Sequence, residues 1–111
     1  MARLPQADRA ILDTRKLVDY CLNPEHPRGR HKARVFRETL GIMRADAQRL
    51  RETLLTGIVN LEGEPLESDP YGRRWRVDVP VAISDRNAIV RTLWIIRAGE
   101  TIPRFVTCWV M

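Results

Sequence analysis

The segment RWRVDVPVAI, residues 74–83, alternates between apolar and polar side chains with the two-residue period of a β-strand. Its tryptophan and three valines all fall on one face of that strand. The charged side chains Arg74, Arg76 and Asp78 all fall on the other face. Such a strand buries one face in a core and leaves the other facing solvent. The segment therefore predicts a half-buried strand.

Two more strands are predicted after this segment. Residues 84–87 (SDRN) have the composition of a turn, and AIVRTLWIIR follows them at 88–97. A second turn at 98–101 leads into IPRFVTCWVM at 102–111. Short turns between successive strands require antiparallel pairing. The sequence thus predicts an antiparallel meander over about residues 71–110.

The first half of the chain has helical spacing instead. We predict a helix with Asp13 as its N-cap that runs to Leu22, a second from near His31 to Leu40, and a third over about residues 45–59. The acidic, proline-containing stretch 62–70 is predicted to be a loop, and Ile11-Leu12 a short edge strand.

These elements predict one α+β domain over residues 1–111, with the helices (about 13–59) packed on one face of the sheet. A chain of this length can bury a core without disulfides or a structural metal. The apolar runs are too short to span a bilayer, and the start MARLPQADRA has no apolar signal region. We therefore expect no secretory signal, no membrane partner and a cytoplasmic location.

The net charge of +5 is concentrated in one segment, HPRGRHKARVFR at residues 26–37. This segment holds five Lys/Arg, no acid and both histidines of the chain. A local positive field attracts polyanions such as nucleic acid, an anionic membrane or an acidic protein. We therefore expect a basic binding surface here.

The chain has two cysteines, Cys21 and Cys108, and both have apolar sequence neighbours. This setting favours buried, reduced thiols; the alternative is that the fold brings the two together as a pair. A zinc site would need more Cys or His residues at ligand spacing. We accordingly expect neither a metal nor another cofactor.

Four segments match the pattern of a known family: HPRGRHKARVF at 26–36, PYG at 70–72, VRTLWIIR at 90–97 and PRFVTCW at 103–109. The chain resembles a family of small, uncharacterised bacterial proteins that share HPxGRHKAxxF, YG, VxTxWI and PRxVT motifs in this order. The resemblance covers nearly the whole chain.

The layout is also similar, more loosely, to the barnase, EndoU, colicin and RelE-like ribonucleases, many of which are bacterial toxins. This resemblance implies a metal-independent ribonuclease, the toxin of a toxin–antitoxin or related conflict system. It implies RNA as the substrate and a small acidic antitoxin or immunity protein as the partner. The alternative is a non-catalytic nucleic-acid-binding or protein-interaction domain. A role as the antitoxin itself is less favoured, because proteins that block basic nucleases are usually acidic.

Metal-independent RNA cleavage needs a base for the 2′-hydroxyl proton, a cation for the phosphorane-like transition state, and an acid for the leaving 5′-oxygen. Histidine can take or give a proton near neutral pH. We therefore nominate His31, Lys32 and His26 as catalytic. The alternatives are local hydrogen bonding for His31, loop ordering for His26 and a solvated position at the border of the helix for Lys32.

Polar residues on the predicted strands complete the candidate catalytic set. Arg91 stands among apolar neighbours, so it either pairs with Asp78 across the sheet or grips a phosphate. Thr107 offers a hydroxyl to a phosphate oxygen, although threonine is also common in strands for packing reasons.

The candidate substrate-binding residues are Arg28, Arg30, Arg34, Arg104 and Tyr71. The arginines would contact phosphates. Tyr71 would stack on an unpaired base, as Trp75 or Trp109 could; the alternative for these aromatics is a core or loop anchor.

Overall fold

One antiparallel sheet organises the chain in the computed structural model, which describes residues 2–111. Strands adjacent in sequence are also adjacent in the sheet, in the order β1-β2-β3-β4-β5. Within the described residues the strands are β1 (Ala2–Arg3), β2 (Glu62–Asp69), β3 (Gly72–Ile83), β4 (Arg86–Arg97) and β5 (Arg104–Val110). The predicted antiparallel meander is confirmed.

The alternation of β3 is confirmed residue by residue. Trp75 and the valines at 77, 79 and 81 are buried, whereas Arg74, Arg76 and Asp78 are partly exposed on the other face. The β3–β4 register pairs Trp75 with Trp94 and Val79 with Val90, so the apolar residues meet on the covered face. Strand β3 therefore builds one side of the core.

The predicted loop at residues 62–70 is wrong, because Glu62–Asp69 forms strand β2 along the free edge of β3. The acidic composition predicts a loop when this segment is considered alone, because the sequence does not show that it pairs with the basic strand β3. Glu64 pairs with Arg76 and Asp69 pairs with Arg74 across the two strands. A register shift between Pro65 and Ser68 accommodates the proline. Cross-strand charge pairing thus stabilises a segment that has few apolar residues.

The predicted edge strand at Ile11-Leu12 is reduced to a single bridge. Ile11 bridges to Arg104 in parallel orientation, with hydrogen bonds from Ile11 N to Pro103 O (2.9 Å) and from Phe105 N to Ile11 O (2.8 Å). This contact ties the N-terminal segment to the start of β5.

The helices lie close to their predicted positions. They are α1 (Thr14–Lys16), which continues into a π-helical turn at Leu17–Cys21, α2 (Arg30–Leu40) and α3 (Ala47–Asn60). The side chain of Asp13 accepts a hydrogen bond from Arg15 N at 3.0 Å, as expected of an N-cap. Gly41 ends α2 with a φ of 69°, a left-handed conformation that favours glycine.

The core lies between the helices and one face of the sheet. Helix α2 buries Ala33, Phe36 and Leu40. Helix α3 buries one apolar stripe, formed by Ala47, Leu50, Leu54 and Ile58. The chain is compact, with a radius of gyration of 13.6 Å. The predicted α+β class is confirmed. No helix within residues 2–111 is long and apolar enough to cross a membrane.

Two residues of the VxTxWI segment serve the core. Thr92 is fully buried, and its Oγ1 donates a hydrogen bond to Val77 O at 2.6 Å. The same oxygen accepts one from Trp94 Nε1 at 2.8 Å. Because the Thr92 hydroxyl and the Trp94 indole N–H both have partners, the fully buried Trp94 fills the centre of the core without an unsatisfied N–H of its own. The indole N–H of the neighbouring Trp75 is buried without a partner among the described residues.

Candidate functional site

The side chain of Lys32 occupies the centre of a polar and aromatic cluster between α2, the π-helical turn and β5. Its Nζ donates hydrogen bonds to Tyr20 Oη at 3.0 Å and to Thr107 Oγ1 at 3.1 Å. The ammonium lies 4.7 Å from the centroid of the Tyr20 ring and 5.4 Å from that of Trp109. Both distances are in the range of cation–π contact.

Lys32 is half-buried, yet none of the ion pairs among residues 2–111 involves it. An ammonium has three N–H donors, and the described residues take two of them. One N–H donor therefore remains available to an anion.

Irregular backbone brings two of these residues to Lys32. Tyr20 lies in the π-helical turn, where Leu22 N bonds to Leu17 O at 2.8 Å instead of to the usual fourth residue back. Thr107 lies where the β4–β5 register shifts after Leu93, a β-bulge. Bulges and π-turns redirect side chains and are frequent at functional sites.

Gly29 allows the start of α2 to approach Tyr20 closely. A Cβ atom at this position would lie 2.2 Å from the carbonyl oxygen of Tyr20 and 2.8 Å from its Cδ1. Only glycine fits this contact. The glycine of the HPRGRHKA segment therefore sets the distance between Tyr20 and the helix that carries Lys32.

A groove of about 460 Å³ opens beside the ammonium. We call it the Lys32 groove; its lining residues are His31, Lys32, Val35, Trp109 and Val110. His31 is exposed at the start of α2 and lines the groove, so its imidazole can contact a bound molecule. The groove combines a cation, an imidazole and an indole.

Behind Thr107 lie the two cysteines, both free and fully buried. Thr107 Oγ1 is 3.6 Å from Cys21 Sγ. The pKa of Cys21 is lowered to about 6, mainly by hydrogen bonding to the Cys108 thiol and main chain. Thr107 and the positive charge of Lys32 lower it further, and together these effects outweigh burial, which raises it. The hydrogen bond to Cys21, together with burial, raises the pKa of Cys108. The expected buried, free thiols are confirmed, and the two lie close enough to shift each other's pKa.

These bonds form one chain from the groove to the buried sulfur. Lys32 can only donate, so Thr107 Oγ1 accepts from it. The proton of Thr107 is then free to point at Cys21, whose lowered pKa favours a thiolate acceptor. The direction of the Cys21 pKa shift agrees with Thr107 donating to the sulfur, which orients the hydroxyl that accepts from Lys32.

His26 orders the loop that precedes α2. Its Nδ1 accepts hydrogen bonds from Arg28 N and Gly29 N, each at 3.0 Å, and its ring packs edge-on against Tyr20 at 4.8 Å. A nitrogen that accepts two N–H bonds carries no proton, so the proton of the neutral ring is on Nε2. His26 thus supports Tyr20 from behind, and its catalytic role stays a prediction.

Three nominated residues lie outside this cluster. Arg91 binds both carboxylate oxygens of Asp78, at 2.9 and 3.0 Å, which is the structural alternative given for it. Arg104 pairs with Glu100 at 3.1 Å. Tyr71 is 75% exposed beside Gly72, which pairs with Arg97. That position is about 13 Å along the strands from Leu93, the partner of Thr107.

Arg28, Arg30 and Arg34 are exposed and form no ion pair within residues 2–111. Arg30 and Arg34 line a second groove, on the other side of α2 from Lys32. The basic surface predicted from the sequence is therefore divided by α2. Trp75, only 7% exposed, belongs to the core and presents no stacking face.

Tyr20 is a site residue that the sequence analysis missed. It lies three residues after Leu17 and next to Cys21, on the buried side of the first helix. A tyrosine on such a face needs a hydrogen-bond partner for its hydroxyl group. This requirement is the feature of the sequence that could have indicated a polar contact at Tyr20. Trp109 was considered only for base stacking, and its contact with Lys32 depends on the strand register.

The family model that matches the chain is described as "Domain of unknown function (DUF6883)" and covers residues 3–111. The chain belongs to this family. No curated protein and no solved structure matches it.

Proposed function

We propose that this member of the DUF6883 family is a metal-independent ribonuclease that acts in the cytoplasm as the toxin of a bacterial toxin–antitoxin or related conflict system. The observation that supports this most is the Lys32 ammonium. It is half-buried between two aromatic rings, without a carboxylate partner in the described chain, and it opens into a groove beside His31.

Lys32 and Tyr20 supply the electrostatic part of this proposal. The Tyr20 oxygen accepts from Lys32, so its own O–H can donate to a ligand. Together with the remaining N–H of Lys32, this gives two donor groups whose heavy atoms are 3.0 Å apart, close enough for one anion to contact both. Donors fixed before the reaction stabilise the charge that develops on a phosphate oxygen in the transition state.

His31 supplies the proton transfer. As general base it takes the proton of the ribose 2′-hydroxyl, whose oxygen attacks the adjacent phosphorus. The bond from phosphorus to the 5′-oxygen breaks, and that oxygen receives a proton from the Tyr20 hydroxyl. The products are a 2′,3′-cyclic phosphate and a free 5′-hydroxyl. In this scheme Lys32 provides the charge stabilisation.

RNA binding in this proposal uses residues around the groove. The indole of Trp109 is partly exposed in the groove wall and can stack on an unpaired base. Arg28 is exposed just before α2 and can contact the neighbouring phosphate. Arg91 and Arg104 are already paired with carboxylates, so we leave them out of the mechanism.

The test is expression of the protein in bacteria, with growth and RNA integrity measured together. Wild type is expected to slow growth and degrade RNA. The variants His31→Ala and Tyr20→Phe are expected to lose on the order of 100-fold or more in cleavage. The matched controls Arg49→Ala and Tyr71→Phe alter exposed residues far from the groove and should behave as wild type, with circular dichroism confirming each fold.

A harmless wild type, or site variants that fold and remain as toxic as wild type, would contradict the ribonuclease proposal. The second candidate is a non-catalytic nucleic-acid-binding domain, in which the exposed Arg28 and the Trp109 indole would hold RNA without cleaving it. RNA binding that weakens steeply with salt, without any cleavage, would identify it.

A further inference from the structure

A second groove, of about 660 Å³, lies on the side of α2 opposite Lys32. We call it the arginine groove. It is bounded by α2, by the chain before it and by the segment that joins α2 to α3. Its lining includes Arg30, Arg34, Arg37, Ile42, Met43 and Arg44.

The rim of this groove is strongly cationic. Arg30, Arg34 and Arg37 follow one another at i, i+4 and i+7, so they form a single row along α2, about 10 Å long. None of the three is ion-paired within residues 2–111, and no acidic side chain is among the described lining residues. Arg44 lines the opposite wall, but its guanidinium is held by Val18 O at 3.0 Å and pairs with Asp19 at 3.9 Å, so the row on α2 supplies the free positive charge.

The floor of the groove is apolar. Leu22, Ala33 and Ile42 contribute buried side chains, and Met43 stands 55% exposed at the edge. Methionine adapts its shape easily and is common on apolar binding surfaces. A ligand that fits this groove needs carboxylates to pair with the row of arginines and at least one apolar side chain to contact the floor.

We propose that the arginine groove binds an acidic amphipathic segment of a partner protein, with its apolar side chains on the floor and its Asp and Glu residues against Arg34 and Arg37. This is the mode in which an amphipathic helix lies in a groove, anchored at i, i+3 or i+4 and i+7. Charge complementarity selects the acidic partner, and Arg forks bind carboxylates in bidentate fashion.

RNA fits this groove less well than a protein segment does. Single-stranded nucleic acid is held by aromatic platforms together with cations. The described lining holds no Phe, Tyr or Trp, whereas the Lys32 groove contains Trp109 and borders Tyr20. An aliphatic floor with an adaptable methionine suits an apolar side chain.

The occupant would also restrict the Lys32 groove, because His31 lines both grooves. A segment in the arginine groove would contact this imidazole and limit its access to RNA. This regulatory consequence rests on the proposed ribonuclease function, whereas the binding itself does not.

The binding is tested by fluorescence anisotropy with a synthetic helical peptide about four turns long, made of Glu and Ala with Leu at every third or fourth position. Two comparison probes are the same peptide with Lys for Glu, and one with Ser for Leu. The variant R34E/R37E inverts two charges in the groove. Its matched control, R49E/R97E, makes the same change in net charge at exposed arginines elsewhere.

We expect wild type to bind the Glu/Leu peptide at least tenfold more tightly than either comparison probe. R34E/R37E should lose at least tenfold in affinity and R49E/R97E less than twofold. Met43→Ser, which changes no charge, should weaken binding severalfold. Failure of the Glu/Leu peptide to bind, or an equal loss in both charge variants, would overturn the proposal.

A short single-stranded RNA serves as the competing probe. If R34E/R37E abolishes RNA binding and no peptide binds, the groove belongs to nucleic acid and the proposal is wrong. Peptide binding together with an absence of RNA cleavage would support the groove and contradict the ribonuclease function. If RNA is cleaved and no peptide binds, only the groove proposal fails.

Discussion

The sulfur of Cys21 explains at residue scale how a lysine can be held in place without a carboxylate. A thiolate there would accept from Thr107, which in turn accepts from Lys32. The lowered pKa of Cys21 favours its thiolate form, and the raised pKa of Cys108 favours its thiol form. Because the two thiols interact, they titrate as a pair.

We predict that ultraviolet absorbance will detect one thiolate per chain, with an apparent midpoint of about 6. Cys21→Ser should abolish this titration. Cys108→Ala should raise the midpoint, because the main hydrogen-bond donor to the thiolate is lost. Absorbance that stays flat up to the pH where an ordinary cysteine ionises, about 8.5, would contradict the chain of bonds behind Lys32.

Stability should follow the same titration. Since the pKa of Cys21 is lower in the folded state, its contribution is complete above about pH 8.5 and is lost as the pH falls towards 6. The raised pKa of Cys108 has the opposite sign and reduces stability above about pH 8.5. The free energy of unfolding measured in urea should therefore rise between these two pH values and then fall.

At the scale of the element, the start of α2 depends on its contact with the π-helical turn. Gly29 has φ −85° and ψ −15°, which alanine adopts without strain. On backbone entropy alone, Gly29→Ala would stabilise the protein by about 0.4–1 kcal/mol. The added Cβ would, however, lie 2.2 Å from Tyr20 O, and a backbone oxygen cannot move aside cheaply.

We predict that steric overlap outweighs entropy, so that Gly29→Ala destabilises the fold by about 1–3 kcal/mol in denaturant unfolding. RNA cleavage should fall as well, because Lys32 moves away from Tyr20. A Gly29→Ala protein as stable as wild type, or more so, would show that this contact does not set the position of α2.

Elements with a strong apolar period could be predicted from the sequence, and elements that depend on a partner could not. Residues 74–83 and 88–97 form strands that each bury one face. The buried face can be recognised from the alternation of apolar and polar side chains in the sequence itself. Strand β2 instead owes its structure to Arg74 and Arg76 of its neighbour. The π-helical turn is invisible in the same way, because only its hydrogen bonds distinguish it from an α-helix.

At the scale of the whole molecule, α2 is a ridge between two grooves of different chemistry. Residue type and position were enough to nominate His31, Lys32 and Thr107. In the structure His31 and Lys32 line the Lys32 groove, and Thr107 accepts a hydrogen bond from Lys32. Arg91 and Arg104 could not be excluded beforehand, because their carboxylate partners are set by strand register and turn geometry. The division of the basic residues between two sides of α2 could not be predicted either, because it depends on how α2 packs against the rest of the chain.

Cleavage of a short RNA by purified protein in EDTA tests the central claim, that Lys32 is the centre of a metal-independent ribonuclease site. Wild type is expected to produce 2′,3′-cyclic phosphate ends. Lys32→Met, which keeps the length of the side chain but removes its charge, should lose on the order of 100-fold or more in rate. Lys16→Met is the matched control, since Lys16 Nζ bonds to Phe105 O at 2.6 Å rather than lining the Lys32 groove. A folded Lys32→Met protein that cleaves as fast as wild type, or a wild type that leaves RNA intact, would contradict the claim.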